Sequence, residues 1–158
     1  MTKDDMVMVP ELAPLVGTWR GSGRGHFPTI EDFDYEEEFV VTATRKPVLA
    51  TSQATWGARG PMHMETGWLR WCGNGAVEWV IAQPTGLAEV SPGTFVDGVV
   101  AVAGPVHGTP NAVDVLQVRR EYRFSPDQLD YYQWMATEVV PSLTHHLSAR
   151  LMRVSGSR

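Results

Sequence analysis

The chain has 158 residues, the length of one ordinary domain, and 43% of them are apolar, enough for a packed core. A net charge of -5 argues against nucleic acid as a partner, because phosphate binding needs clustered Lys and Arg. Charged residues make up 20%, which argues against wholesale disorder, and no apolar run reaches the length of a membrane span.

The first ten residues carry acids and one lysine but no long apolar stretch, so they do not read as a secretory signal. The single cysteine, Cys72, makes no internal disulfide and reads as a small apolar residue in a reducing, cytoplasmic chain. One Cys and five scattered His give no zinc-finger spacing.

Pro10 to Val16 reads as the only helix, a short one with Glu11 in its first turn and Gly17 as its stop. Leu12, Leu15 and Val16 would plug one end of the fold. Next comes Gly17-Thr18-Trp19-Arg20-Gly21-Ser22-Gly23. Alternating residues share one strand face, so Trp19 would lie beside three bare positions, Gly17, Gly21 and Gly23. That suits the first strand of a closed barrel, which must coil and leave interior room. A phosphate loop would need a Lys-Ser/Thr end or a strand–turn–helix context, and neither is present.

The rest reads as strands cut by turns. The candidates are 18–27, 33–42, 48–56, 62–72, 76–83, 87–90, 94–96, 99–103, 113–124, 129–136 and 144–154. Turn residues stand between them, as in Arg45-Lys46-Pro47, Gly73-Asn74-Gly75, Pro84-Thr85-Gly86, Ser91-Pro92-Gly93 and Ser125-Pro126-Asp127. About ten short strands in series imply an all-β fold, a single closed antiparallel barrel with one short N-terminal helix. Val77, Trp79 and Ile81 share a face opposite Glu78, whereas Leu116, Val118, Tyr122 and Phe124 share one that Arg120 interrupts. Six tryptophans would fill a wide barrel and cover its outside.

Among the histidines, His107 reads as a solvated loop residue and His26 as a rim residue. His63 lies between Met62 and Met64, either lining a pocket for a flat ligand or standing hydrogen-bonded in the core. His145 and His146 open the last strand, and neighbours on a strand point to opposite faces. A neutral imidazole at a barrel mouth can bind iron or serve as a hydrogen-bond partner. Asp34, Glu36 and Glu38 alternate and read as a solvated face. No Ser/His/Asp arrangement is readable.

In its order of motifs the chain resembles the nitrobindins, haem-binding β-barrels. The carriers are Gly17 to Gly23, Phe27-Pro28-Thr29, Phe33 to Glu37, Lys46-Pro47, Met62 to Arg70, Ala82 to Gly86, and His146-Leu147-Ser148-Ala149-Arg150-Leu151. The resemblance implies one domain over 8–158 that holds one haem b near a barrel mouth. It implies His146 as the proximal iron ligand and catalytic residue. Thr29 would contact haem, Met62 and His63 would line the pocket opposite, and Gln83 would also face the cavity. Periodicity alone sets His145 on the face of Leu147, Ala149 and Leu151. The terminal motif selects His146, with one extra residue expected in the 138–144 loop.

The implied activity is isomerisation of peroxynitrite to nitrate by ferric haem, with nitric oxide binding at the same iron. The alternative is a non-catalytic carrier or sensor of nitric oxide or of a small hydrophobic ligand. The partners are then small molecules, with no nucleic acid and no membrane, and the chain is a monomer or weak homodimer.

Overall fold

The computed structural model describes residues 9–154. A 3-10 helix, Pro10–Leu15, leads into ten strands. They are β1 (Gly17–Phe27), β2 (Ile30–Ala43), β3 (Val48–Gly57), β4 (Gly60–Gly73), β5 (Ala76–Ala82), β6 (Leu87–Val96), β7 (Val99–Gly108), β8 (Gln117–Phe124), β9 (Gln128–Ala136) and β10 (Thr144–Arg153). Each pairs antiparallel with its chain neighbour, and β10 pairs with β1 to close the barrel. Closure leaves no unpaired sheet edge.

The helix takes the tighter 3-10 form with Pro14 inside it, a residue that an α-helix interior would not tolerate. It buries Leu12 and Leu15, and the indole N–H of Trp19 donates to the Leu15 carbonyl over 3.1 Å. This fastens the plug to β1 and shuts the barrel end where β1 begins. Above the plug lie Phe39, Trp79, Tyr122 and Tyr131, with Trp79 edge-on to Tyr122 and Tyr122 stacked on Tyr131. Of the tryptophans, Trp19 and Trp79 are buried, whereas Trp56 and Trp68 are exposed on the outside.

The bare face of β1 serves close approach. A Cβ on Gly21 would overlap the Arg150 carbonyl of β10, a backbone atom that cannot step aside. Gly25 is buried, with the Phe33 ring directly over it.

Five expectations are corrected. The two segments 87–90 and 94–96 are one strand, β6. Ser91-Pro92-Gly93 does not turn but stays in the ladder opposite β5, where Pro92 faces Glu78. Residues 113–116 precede β8 rather than belonging to it. Arg120 does not interrupt the inner face of β8, for it is buried between Val118 and Tyr122. Cys72 is exposed, and His107 sits near the end of β7 rather than in a loop.

Candidate functional site

The end opposite the helical plug opens into a cavity of about 300 Å³. Its wall is mostly apolar, with Phe33, Leu87, Val115, Val118, Met135 and Leu147 among its lining. Polar groups converge on it, among them His63, Gln53, Gln83, Tyr35, Glu65 and His146. An apolar pocket with few convergent polar groups is the form that small-molecule and cofactor sites take.

His146 reaches this wall through an irregularity in β10. His145 stands opposite Trp134, and Leu147 stands opposite Gln133, the next residue back along β9, so β10 holds one extra residue between them. That residue is His146. A bulge leaves the extra residue unpaired and re-aims side chains. Leu147 therefore lines the cavity although its neighbour His146 does too. The extra residue was expected in the loop before the strand, but it lies within the strand.

The Nδ1 of His146 lies 3.0 Å from the backbone oxygen of His26 on β1. A carbonyl oxygen only accepts, so Nδ1 carries the proton and donates. The Nε2 lone pair then remains on the opposite edge of the ring, available to a metal. Burial lowers the pKa of His146 below the usual imidazole value, against the opposing effect of that hydrogen bond, which favours the neutral, ligating form. Phe27 and Phe33 meet the ring edge-on at centroid distances of 5.6 and 6.2 Å.

His145 does not line the cavity. Its Nδ1 lies 3.0 Å from Nε2 of His26, and its ring packs near Trp134 and Tyr132 on the outer side. Met62 and His63 of β4 do line the cavity, as does Gln83. Thr29 is exposed in the turn between β1 and β2, outside the lining of the cavity.

Sequence reasoning missed the polar floor. Arg120 donates through Nε to Glu89 over 2.8 Å, through Nη1 and Nη2 to Glu65 over 2.6 and 3.0 Å, and to the Tyr122 hydroxyl over 3.1 Å. A further bond from Nη2 to Glu89 occupies the fifth N–H, so the guanidinium is saturated. Burial opposes the ionisation of Glu65, but Arg120 and His63 outweigh it and bring its carboxyl down to about 2. The ionised Glu65 accepts from Nε2 of His63 over 3.2 Å. Beside this cluster, Tyr131 and Gln53 both donate to Glu37, and the Tyr35 and Tyr131 hydroxyls lie 2.6 Å apart. Burial pushes the Glu37 carboxyl up to about 8, with Glu65 adding to the rise. The signal for this floor was Arg120 amid an alternating apolar strand, since a charge there needs buried partners.

The sequence matches the family of THAP4-like, haem-binding β-barrel domains over residues 8–153. Among curated proteins it is 42% identical to peroxynitrite isomerase 2 of Mycobacterium marinum (strain ATCC BAA-535 / M), over 91% of this chain and 93% of that protein. It is 41% identical to peroxynitrite isomerase 1 of Rhodococcus jostii (strain RHA1), over 90% of this chain and 82% of that protein. The crystal structure of Rv2717c from M. tuberculosis superposes with a TM-score of 0.84 at 38% identity, covering 92% of this chain and 98% of that one. The chain belongs to the nitrobindin family of THAP4-like, haem-binding β-barrels.

Proposed function

We infer that this chain binds haem b through Nε2 of His146 and isomerises peroxynitrite to nitrate at the ferric iron. The observation that carries the reading is the His146 imidazole. It lines an apolar cavity, is favoured in its neutral form, and is fixed in the tautomer that leaves Nε2 free. The names of the relatives from R. jostii and M. marinum support the activity. The reading extends to one haem b per chain, in a cytoplasmic monomer or weak homodimer. One cavity bearing one such imidazole supports the stoichiometry, and the lone cysteine supports the compartment.

When bound, haem supplies a Lewis-acidic iron that favours cleavage of the peroxide O–O bond and also offers a site for nitric oxide. The protein's part is positional. The His26 carbonyl orients the His146 ring. Phe33, Met135 and Leu147 form an apolar wall that would keep water from one side of a reactant held there. Across the pocket, Met62 and His63 line the wall, and Glu65 fixes the His63 ring by its hydrogen bond. Thr29 supplies no cavity contact, so its part in haem binding is confined to the rim.

The carrier reading for a fatty-acid-like ligand is disfavoured by Arg120. A buried arginine is the natural anchor for a ligand carboxylate, but Glu65, Glu89 and the Tyr122 hydroxyl already take all its donors.

The test is to load the protein with haemin, mix it with peroxynitrite, and follow decay together with nitrate yield. Decay that accelerates with protein concentration and ends in nitrate supports the enzyme. Decay no faster than with buffer, alongside a nitric oxide adduct seen by absorption, would leave a carrier.

A further inference from the structure

Three buried phenols, Tyr35, Tyr122 and Tyr131, stand at the cavity floor. The chain has four tyrosines. Tyr35, Tyr122 and Tyr131 are 4%, 0% and 0% exposed, and Tyr132 lies half-buried in a groove on the outside. Tyr35 lines the cavity. Behind it a continuous hydrogen-bonded line runs inward to Tyr131 and then to the Glu37 carboxylate. Since Tyr131 donates to Glu37, its oxygen accepts from the Tyr35 hydroxyl. Tyr131 also stacks on Tyr122, with centroids 4.8 Å apart and planes 12° from parallel.

A structural floor needs only satisfied polar groups. This one has three further properties: a phenol exposed to the cavity, a proton path leading away from it, and a buried carboxylate at the end. These are the parts a phenol needs to lose an electron, because a phenol radical cation must shed its proton. We propose that Tyr35, Tyr131 and Glu37 form a redox relay that quenches one-electron oxidants reaching the cavity, nitrogen dioxide radical foremost. The relay rests on the isomerase reading for its natural oxidant, since the fragments of a cleaved peroxynitrite that fail to recombine include that radical.

The step balances. Tyr35 gives one electron to nitrogen dioxide, which leaves as nitrite. The Tyr35 proton moves to the Tyr131 oxygen while the Tyr131 proton moves to Glu37. A neutral phenoxyl radical remains at Tyr35 and a neutral carboxylic acid at Glu37. A second nitrogen dioxide can then bond to the Tyr35 ring carbon beside the oxygen, and loss of that carbon's proton leaves 3-nitrotyrosine. The quench is stoichiometric, two equivalents of nitrogen dioxide per nitrated chain, and the nitro group records where it occurred.

Glu37 accepts a proton only when ionised. Its carboxyl is pushed up to about 8 by burial, so the relay gains its acceptor as pH rises through that value. The titratable groups facing Glu37 are Tyr35 on its own strand, Glu65 of β4, Arg120 and Tyr122 of β8, and Tyr131 of β9. The phenols are all held above their ordinary values by burial, and Arg120 remains charged, so Glu37 is the member of this group that changes state there.

The test exposes the full chain, haem-loaded and haem-free, to nitrogen dioxide radical generated by radiolysis of nitrite solutions. Peptide mapping then locates 3-nitrotyrosine, and freeze-quench electron paramagnetic resonance detects the phenoxyl radical. The expected result is label on buried Tyr35 ahead of the more accessible Tyr132, increasing from neutral to alkaline pH. Glu37→Gln is expected to lower the Tyr35 yield about tenfold, the scale of a lost charge-assisted hydrogen bond, and to flatten its pH dependence. Label on Tyr132 alone, or an unchanged Tyr35 yield in Glu37→Gln, would overturn the relay. The haem-free arm separates the two claims. Label at Tyr35 there, with no isomerase activity in the loaded protein, sinks the isomerase reading and leaves the relay standing. Isomerase activity without Tyr35 label does the reverse.

Discussion

The hydrogen bond from Nδ1 of His146 to the His26 carbonyl, 3.0 Å long, ties the bulge of β10 to the end of β1. It joins two parts of the chain that are far apart in sequence and sets the tautomer of the His146 imidazole, which lines the cavity. Outer hydrogen bonds of this type hold a ligand ring in place and raise its basicity.

Deletions ahead of the bulge test whether the bulge is needed. We expect deletion of Thr144, the first residue of β10, which draws the preceding loop into its place and keeps the bulge, to leave haem uptake largely intact. Deletion of His145 removes the extra residue and returns the strand to strict alternation, with His146 opposite Trp134 on the outer face. Haem titration followed by absorption should show uptake falling only for the second deletion. Equal uptake by both would show that the bulge does not aim His146.

Gly21→Val should cost about 1–3 kcal/mol by overpacking, because its new atoms meet the Arg150 carbonyl of the paired strand. Gly25→Ala should cost less, since the neighbour there is the Phe33 side chain, which can turn. The Phe33 ring also lines the cavity, so Gly25→Ala should weaken haem uptake more than it lowers the melting temperature. Denaturant titration and haem titration on the same two variants check both halves. A Gly21→Val variant as stable as the parent would contradict the close approach.

Arg120→Met should destabilise the fold by about 3–5 kcal/mol, because it leaves Glu65 and Glu89 buried without a counter-charge. Glu65 titrates at about 2 in the folded chain, below its ordinary 4.5. Its contribution to stability is therefore present above 4.5 and is lost as pH falls toward 2. Adding Glu65→Gln and Glu89→Gln to Arg120→Met should recover part of the loss. Denaturant midpoints at neutral pH decide it, and no recovery in the triple variant would show that packing, not charge, sets the cost.

Glu37 carries the opposite sign. Its folded value of about 8 stands above its ordinary 4.5. Within that window the folded state holds a proton that the unfolded state has released, so stability falls as pH rises through it. The effect is on the order of a few kcal/mol across the window. Glu37→Gln should remove it, and the variant should gain on the parent as pH rises from about 4.5 to about 8. Parallel stability curves for the two proteins would show that Glu37 does not titrate in that range.

The barrel was legible because alternation and Pro/Gly turns are local signals, and local spacing places strands. Pro92 misled because proline in a strand is read as a break, whereas here it keeps its place in the ladder opposite Glu78. His145 and His146 could not be separated by period, since a bulge is a pairing defect visible only once β9 lies beside β10. Glu37 was hidden in an acidic run whose alternate members, Asp34 and Glu36, face solvent. Its partners come from β3 and β9, and side chains distant in sequence leave no spacing to read. Thr29 was placed by family likeness alone, and the structure leaves it on the turn.

The haem spectra of two single variants decide whether His146 holds the haem. His146→Ala should lose the Soret band of the histidine-ligated haem and weaken haem uptake at least as much as the roughly 10–100-fold cost of losing an outer partner. His145→Ala should keep most of both, because its ring packs against His26 on the outer side. If His145→Ala is the variant that loses the band, the register at the bulge is wrong. If neither loses it, the ligand is not in this pair, and haem binding through His146 is refuted.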